Sequence, residues 1–143
     1  MAVVAPLIAM KEKGDFSTLH DVVPYAGFLG LSLDQQGAEF ITTMHYSEDL
    51  IGNMKIPALH GGTISAVLEM ASLFQIACEF EPDIMPKIVT ITVDYMRSGA
   101  ACDTYAAAVA TRVGKRVVNM RAVAWQDDRD KPIATAHVNF LLA

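Results

Sequence analysis

The segment IPALHGGTISAVLEMASLFQIAC, Ile56 to Cys78, constrains the fold more than any other part of the chain. Between Gly61 and Cys78 only one side chain is normally charged at neutral pH, Glu69. Apolar residues on nearly every face predict a helix from about His60 to Phe80 that cannot lie on a surface. Pro82 and Pro86 bracket its exit. A helix of this kind has to be covered on all sides.

The flanking sequence supplies the cover. Residues 1–20 read as an N-terminal arm or helix: MAVVAPLIAMKEKG is apolar at first, but it lacks the basic region and cleavage site of a signal peptide. DFSTLHDVVPYAG reads as a short helix ending near Pro24. FLGLSL spaces Leu29, Leu31 and Leu33 by two, and GAEFITTMHY sets Ala38, Phe40, Thr42 and Met44 on one face. With DQQG between them these segments predict a hairpin. SEDLIGNMKIP predicts a loop with one helical turn.

After the helix come four strand-like runs: PKIVTITVDYM, DTYAAAVATRV, KRVVNMRAVAW and KPIATAHVNFLL. Their boundaries, SGAACD, Gly114 and QDDRDK, are turn signals. Short connections imply an antiparallel sheet. The expected architecture is α+β, one domain over residues 1–143, with a curved sheet of about six strands wrapped around one long helix. One side of the helix remains open, and a second subunit is the simplest cover.

Composition narrows the function. The chain is 52% hydrophobic and 19% charged, with a net charge of −5 and no basic cluster, which argues against nucleic-acid binding. Cys78 and Cys102 form no C-x-x-C pair and read as reduced thiols of a cytoplasmic protein. His20, His45, His60 and His137 lie far apart, so no metal site is expected. No uninterrupted apolar run approaches about eighteen residues, so no membrane span is expected.

Two features of the helix suggest chemistry. It opens with His60-Gly61-Gly62, where free backbone N–H groups and the helix dipole meet residues without side chains. That combination can bind a carbonyl oxygen gaining negative charge, or it can serve close packing. Glu69 shares a stripe with Gly62, Ser65 and Ser72. A desolvated glutamate can act as base or nucleophile near neutrality; a glutamate that reaches solvent or bonds to serines is structural. Gly61 and Glu69 are separated by roughly 12 Å of helix, too far to share one carbonyl. Two such helices, antiparallel across a two-fold axis, would bring Gly61 of one chain near Glu69 of the other.

LHGGTISAVLEMAS resembles the signature of the hotdog-fold acyl-CoA thioesterases of the PaaI-like, phenylacetate-pathway group, in which an acid follows the second glycine by seven residues. The run from Thr92 to Leu142 resembles that family's long strands, with an aromatic-x-Arg segment and a Gly-Lys/Arg hairpin. The likeness covers roughly Val22 to Leu142 and implies a hotdog fold, a homodimer or homotetramer, and hydrolysis of an acyl-CoA thioester without a cofactor. It implies that the Gly61 N–H polarises the carbonyl, that Glu69 of the opposing subunit activates water or attacks, and that His60 shapes the loop. The family's Asn or Gln before the histidine falls at Met54, with Asn53 beside it. Its hydroxyl after the acid falls at Leu73, next to Ser72. Its hydroxyl on the following strand falls at Ile88, with Thr90 expected on the same face.

CoA carries phosphates, for which Arg97, Arg112, Lys115 and Arg116 are the candidates, or else they are solvated turn charges. Two other readings remain: a non-catalytic acyl-CoA-binding hotdog protein, and a hotdog dehydratase or hydratase. The acyl group, aromatic or medium-chain, is not set by one sequence, because its pocket draws on two chains.

Overall fold

The computed structural model describes residues 3–142. Three helices lead in: α1 (Val4–Lys13), α2 (Leu19–Val22) and α3 (Pro24–Leu29). The hairpin β1 (Leu31–Gln36) and β2 (Glu39–Met44) follows, then a 3-10 turn at Glu48–Leu50. A small second hairpin, β3 (Ile51–Asn53) and β4 (Ala58–Leu59), leads into α4 (Gly61–Phe80). The strands β5 (Lys87–Tyr95), β6 (Thr104–Val113), β7 (Val117–Trp125) and β8 (Ala134–Leu141) complete a six-stranded sheet ordered β1-β2-β6-β7-β8-β5. Every pairing is antiparallel. The sheet packs on α4 mainly through β2, β6, β7 and β8, and this is the expected hotdog fold.

The strand pattern explains how a helix so apolar is enclosed. Ala106 and Ala108 on β6, Ala122 and Ala124 on β7, and Ala134 and Ala136 on β8 are all buried, and register stacks them side by side. These small residues let the sheet approach α4, whose Val67, Leu68, Phe74 and Ile76 are fully buried. Each such large side chain contributes about 1.5–3 kcal/mol. By length and composition α4 would pass for a membrane span, yet most of it is buried inside the fold.

One polar side chain ties α4 to the sheet. Gln75 is buried, accepts from the Phe40 N–H at 3.0 Å and donates to the Ala38 carbonyl at 3.1 Å. The β2–β6 register runs only over Thr42–Met44, so Gln75 supplies the partner that Phe40 lacks in the ladder.

Several sequence expectations change. The short helix α2 ends at Val22, near Pro24 as expected, but Pro24 is also the first residue of a further helix, α3, where its missing N–H is harmless. Leu29 belongs to α3, which stops at Gly30 in the left-handed region, φ 68°. The first hairpin turns at Gly37-Ala38, so Asp34, Gln35 and Gln36 are strand and Ala38 is not. In the 47–57 segment the expected helical turn is found at Glu48–Leu50, but Ile51–Asn53, expected as loop, is strand β3 and pairs with Ala58–Leu59, β4.

The cover of α4 is also partly internal. α1 buries Val4, Leu7 and Met10 and packs on α4. Lys11 Nζ donates to the Cys78 carbonyl at 2.7 Å and to Glu81 at 2.9 Å, satisfying the helix C-terminus. The C-terminal half of α4 is therefore closed by its own chain. The N-terminal half is open along Gly62, Ser65, Ala66 and Glu69. β5 is an edge strand of nine residues with Val89 59% exposed and one side unpaired, a template for another strand.

Candidate active site at the start of the long helix

The helix start is built by short local contacts. His60 is the N-cap: its Nδ1 accepts from the Gly62 N–H at 2.8 Å, which places the ring hydrogen on Nε2. The His60 carbonyl accepts from Thr63 Oγ1 at 2.6 Å and from the Thr63 and Ile64 amides. The Gly62 N–H, a candidate for substrate, is thus already used. The Gly61 N–H has no hydrogen-bond partner among the described residues.

Gly52, on the bulged strand β3, holds His60 from behind. A Cβ there would lie 2.7 Å from the His60 Cα, so only glycine lets the hairpin pass this close. Tyr95, at the end of β5, closes the other side. Its hydroxyl donates to the Gly61 carbonyl at 2.8 Å, and a Cβ on Gly61 would meet its ring at 3.3 Å.

Gly61 opens into a cavity of about 350 Å³, lined also by Ala58, Leu59, Tyr95, Met96 and Arg97. Arg97 is exposed and makes no ion pair among the described residues. The cavity thus joins an unused N–H at a helix N-terminus with one cation, a combination suited to an oxygen gaining charge on a ligand with an anionic group.

Glu69 lies about two turns further along α4, half-buried on the open stripe. Burial raises its carboxyl pKa above the ordinary glutamate value. It does not line the Gly61 cavity of its own chain. One protomer therefore presents the amide and the acid on one helix but not facing one ligand atom.

The remaining candidates divide. Asn53 sits at the exposed end of β3, where its Oδ1 accepts from the Lys55 N–H at 3.0 Å and stabilises its own turn. Ser72 is not on the open stripe: it is fully buried and its hydroxyl donates to the Leu68 carbonyl at 2.9 Å. Its position at i+3 from Glu69 turns it into the core, and the back-bond consumes its donor. Thr90 is not on the Ile88 face. A bulge lies between them, so Ile88 pairs with buried Phe140 while Thr90 pairs with Asn139 on the opposite face. There Thr90 Oγ1 accepts from Asn139 at 2.6 Å.

Arg112, Lys115 and Arg116 cluster at the exposed β6–β7 turn. Register puts this turn beside Lys87 and Leu141, at the far end of the sheet from Tyr95 and Gly61. Within one chain they do not reach the cavity.

Sequence reasoning did not single out Tyr95 or Gly52. Tyr95 is legible as the last residue of the alternating face Val89, Ile91, Val93 and Tyr95 and as the aromatic of an aromatic-x-Arg segment, and Gly52 as a lone glycine in a run expected as loop.

Two other groupings are structural. Ser32 Oγ lies 2.8 Å from His45 Nε2, and His45 Nδ1 lies 3.5 Å from Asp103, which also accepts from the Tyr46 N–H. These exposed side chains clasp the ends of β1, β2 and β6. On the outer face a concavity of about 330 Å³ is lined by Ala107, Val109, Arg121 and Arg129. Arg129 crosses it, stacked 4.5 Å over Trp125 and paired with Glu39. Among the described residues its lining holds neither a nucleophile nor an acid. Among the described residues no three His, Cys, Asp or Glu side chains are grouped to hold a metal ion.

A family model described as "Thioesterase superfamily" matches residues 57–133, more than half of the chain. Among solved structures, a protein from Chromobacterium violaceum is 31% identical, with a TM-score of 0.79 over 97% of each chain. A phenylacetic acid degradation-related protein from Ralstonia eutropha is 20% identical, with a TM-score of 0.75 over 88% of this chain and 98% of its own. A thioesterase superfamily-related protein from Shewanella oneidensis is 19% identical, with a TM-score of 0.77 over 99% of this chain and 98% of its own. No curated protein matches the chain by sequence.

Proposed function

The chain belongs to the thioesterase superfamily, and from that premise we propose that it is a PaaI-like acyl-CoA thioesterase acting on aromatic or medium-chain acyl groups. The observation that carries this reading is the presence on one helix of an unused Gly61 N–H beside a cavity and a half-buried Glu69, its pKa raised by burial, on the open stripe. Neither feature is needed to fold a helix, and both suit attack on a thioester.

In the proposed reaction the thioester carbonyl oxygen sits against the Gly61 N–H. Glu69 from a second subunit takes a proton from water, or attacks the carbonyl itself. In the first route the water oxygen bonds to the carbonyl carbon, the oxyanion collapses, the C–S bond breaks, and the proton held by Glu69 goes to the sulfur, so CoA leaves as the thiol. In the second the C–S bond breaks to leave an acyl–Glu69 anhydride, which a water splits to free the acid and Glu69, its proton going to the CoA thiolate. The reaction calls for no metal or cofactor. Pairing of two subunits is supported by the open half of α4 and the unpaired edge of β5. Arg97, beside the cavity, is the proposed partner for an anionic group of CoA. The β6–β7 cations would take part only if a second subunit brings them near. The name of the Ralstonia relative supports an aromatic acyl group.

One observation favours a second reading, acyl-CoA binding without hydrolysis. Ser72 and Thr90, the expected supporting hydroxyls, are both committed elsewhere. The separating experiment is thiol release from aromatic and aliphatic acyl-CoAs by wild type and Glu69→Gln. Hydrolysis that falls about a hundredfold or more in the variant supports the thioesterase. Binding of acyl-CoA without turnover supports the second reading.

A further inference from the structure

The geometry points to Tyr95 as a positioning residue that holds the Gly61 amide in line for the carbonyl; the assignment rests on the thioesterase reading above. Two adjacent peptide planes decide where the Gly61 N–H points. The first, between His60 and Gly61, is trans, so its carbonyl and N–H point in opposite directions. Three donors grip that carbonyl from inside the helix: Thr63 Oγ1 at 2.6 Å, the Thr63 amide at 3.0 Å and the Ile64 amide at 3.4 Å. The Gly61 N–H is thereby turned outward.

The second plane, between Gly61 and Gly62, is held at both ends. Its N–H goes to His60 Nδ1 and its carbonyl receives the Tyr95 hydroxyl, each at 2.8 Å. All the other bonds to these planes come from residues 60–65, including the Ser65 amide that closes the first helical turn on the Gly61 carbonyl. Among the described residues Tyr95 alone reaches them from the six-stranded sheet, because it ends β5 and pairs there with Ala134. Two consecutive glycines have the widest backbone freedom of any pair. A helix start made of them keeps its own turn but needs an outside anchor to stay aligned with a ligand. The Tyr95 ring, 3.3 Å from where a Gly61 Cβ would be, also blocks the space into which that turn could move. Tyr95 need not touch the reacting atoms to do this.

The test is Tyr95→Phe, which keeps the ring and removes the hydrogen bond. kcat and KM for acyl-CoA hydrolysis are compared with wild type, together with thermal unfolding and the NMR order parameter of the Gly61 amide. The expected result is kcat lowered about three- to tenfold, the range of one hydrogen bond. KM stays within about twofold, since the amide acts on the transition state. The order parameter of Gly61 falls while the unfolding midpoint is unchanged. An active wild type with an undiminished Tyr95→Phe kcat, or a variant whose Gly61 order parameter does not move, overturns the role of Tyr95 and leaves the thioesterase reading standing. A wild type that hydrolyses no thioester removes both.

Discussion

Gly52→Ala asks whether the helix start is held from behind. The new methyl would sit 2.7 Å from the His60 Cα and 2.9 Å from its Cβ, whereas ordinary contact begins at 3.4 Å. The hairpin and His60 must therefore separate by about 0.7 Å, and overpacking of this kind costs about 1–3 kcal/mol. The obstructing atoms are mostly backbone and Cβ, so no rotamer change relieves the clash. The His60 N–H also donates to the Leu50 carbonyl at 2.8 Å, which makes the two segments move together or break that bond. Displacing His60 pulls its Nδ1 from the Gly62 amide and reorients the first turn of α4. Misplacement approaching 1 Å in a reacting site costs up to about a hundredfold in rate. Urea unfolding measures the stability loss, and thiol release measures the rate. A stability loss below about 0.5 kcal/mol together with wild-type turnover would show that the contact is not restraining His60.

Gln75→Leu leaves the Phe40 N–H and Ala38 carbonyl without their partner, and a loss of about 1–3 kcal/mol is expected in thermal or urea unfolding; an unchanged midpoint would contradict the anchoring role. Glu69 makes a pH-dependent contribution with a definite sign. Its folded-state pKa is raised by burial, so the folded protein binds the proton more tightly than the unfolded chain, and stability falls as pH rises from the unfolded pKa through the folded one. Glu69→Gln should therefore be more stable than wild type at neutral and alkaline pH, with the two converging in acid. Unfolding followed against pH checks this, and a variant less stable than wild type at pH 8 would mean that Glu69 is paired rather than strained.

The sheet and the helix were legible because their patterns are long and periodic. α4 begins within a residue of its expected start, and all four later strands lie between their expected turn signals. The lead-in was less legible, because short helices are decided by tertiary contacts. Pro24 reads as a stop, and α2 does end at Val22, but the sequence does not mark it as also the first residue of α3. At the site, Gly61 and Glu69 stood out because each is unusual in its own helix. Thr90 was misplaced by one bulge residue, which no alternation pattern reveals and which reverses a strand's faces. Ser72 was misplaced because the open stripe ends at Glu69: its i+3 and i+4 neighbours, Ser72 and Leu73, are both buried, and the sequence does not mark where the cover begins. Tyr95 reaches Gly61 across thirty-four residues, and such a contact is visible only in three dimensions.

The central claim is that amide and acid meet only across a pair of chains, and subunit complementation tests it most directly. Gly61→Pro removes the N–H itself at a helix position that accepts proline, since His60 before it is already extended; its Cβ requires the Tyr95 ring, 3.3 Å away, to give by a few tenths of an ångström. Glu69→Gln removes the acid. Each variant alone should be inactive. Mixed by co-expression they form heterodimers in which one site combines an intact Gly61 with the partner's intact Glu69. Thiol release should return to about a quarter of wild type, since random pairing makes half the dimers mixed and each carries one good site. No recovery, with heterodimers demonstrably formed, would place both groups in one chain and contradict the account.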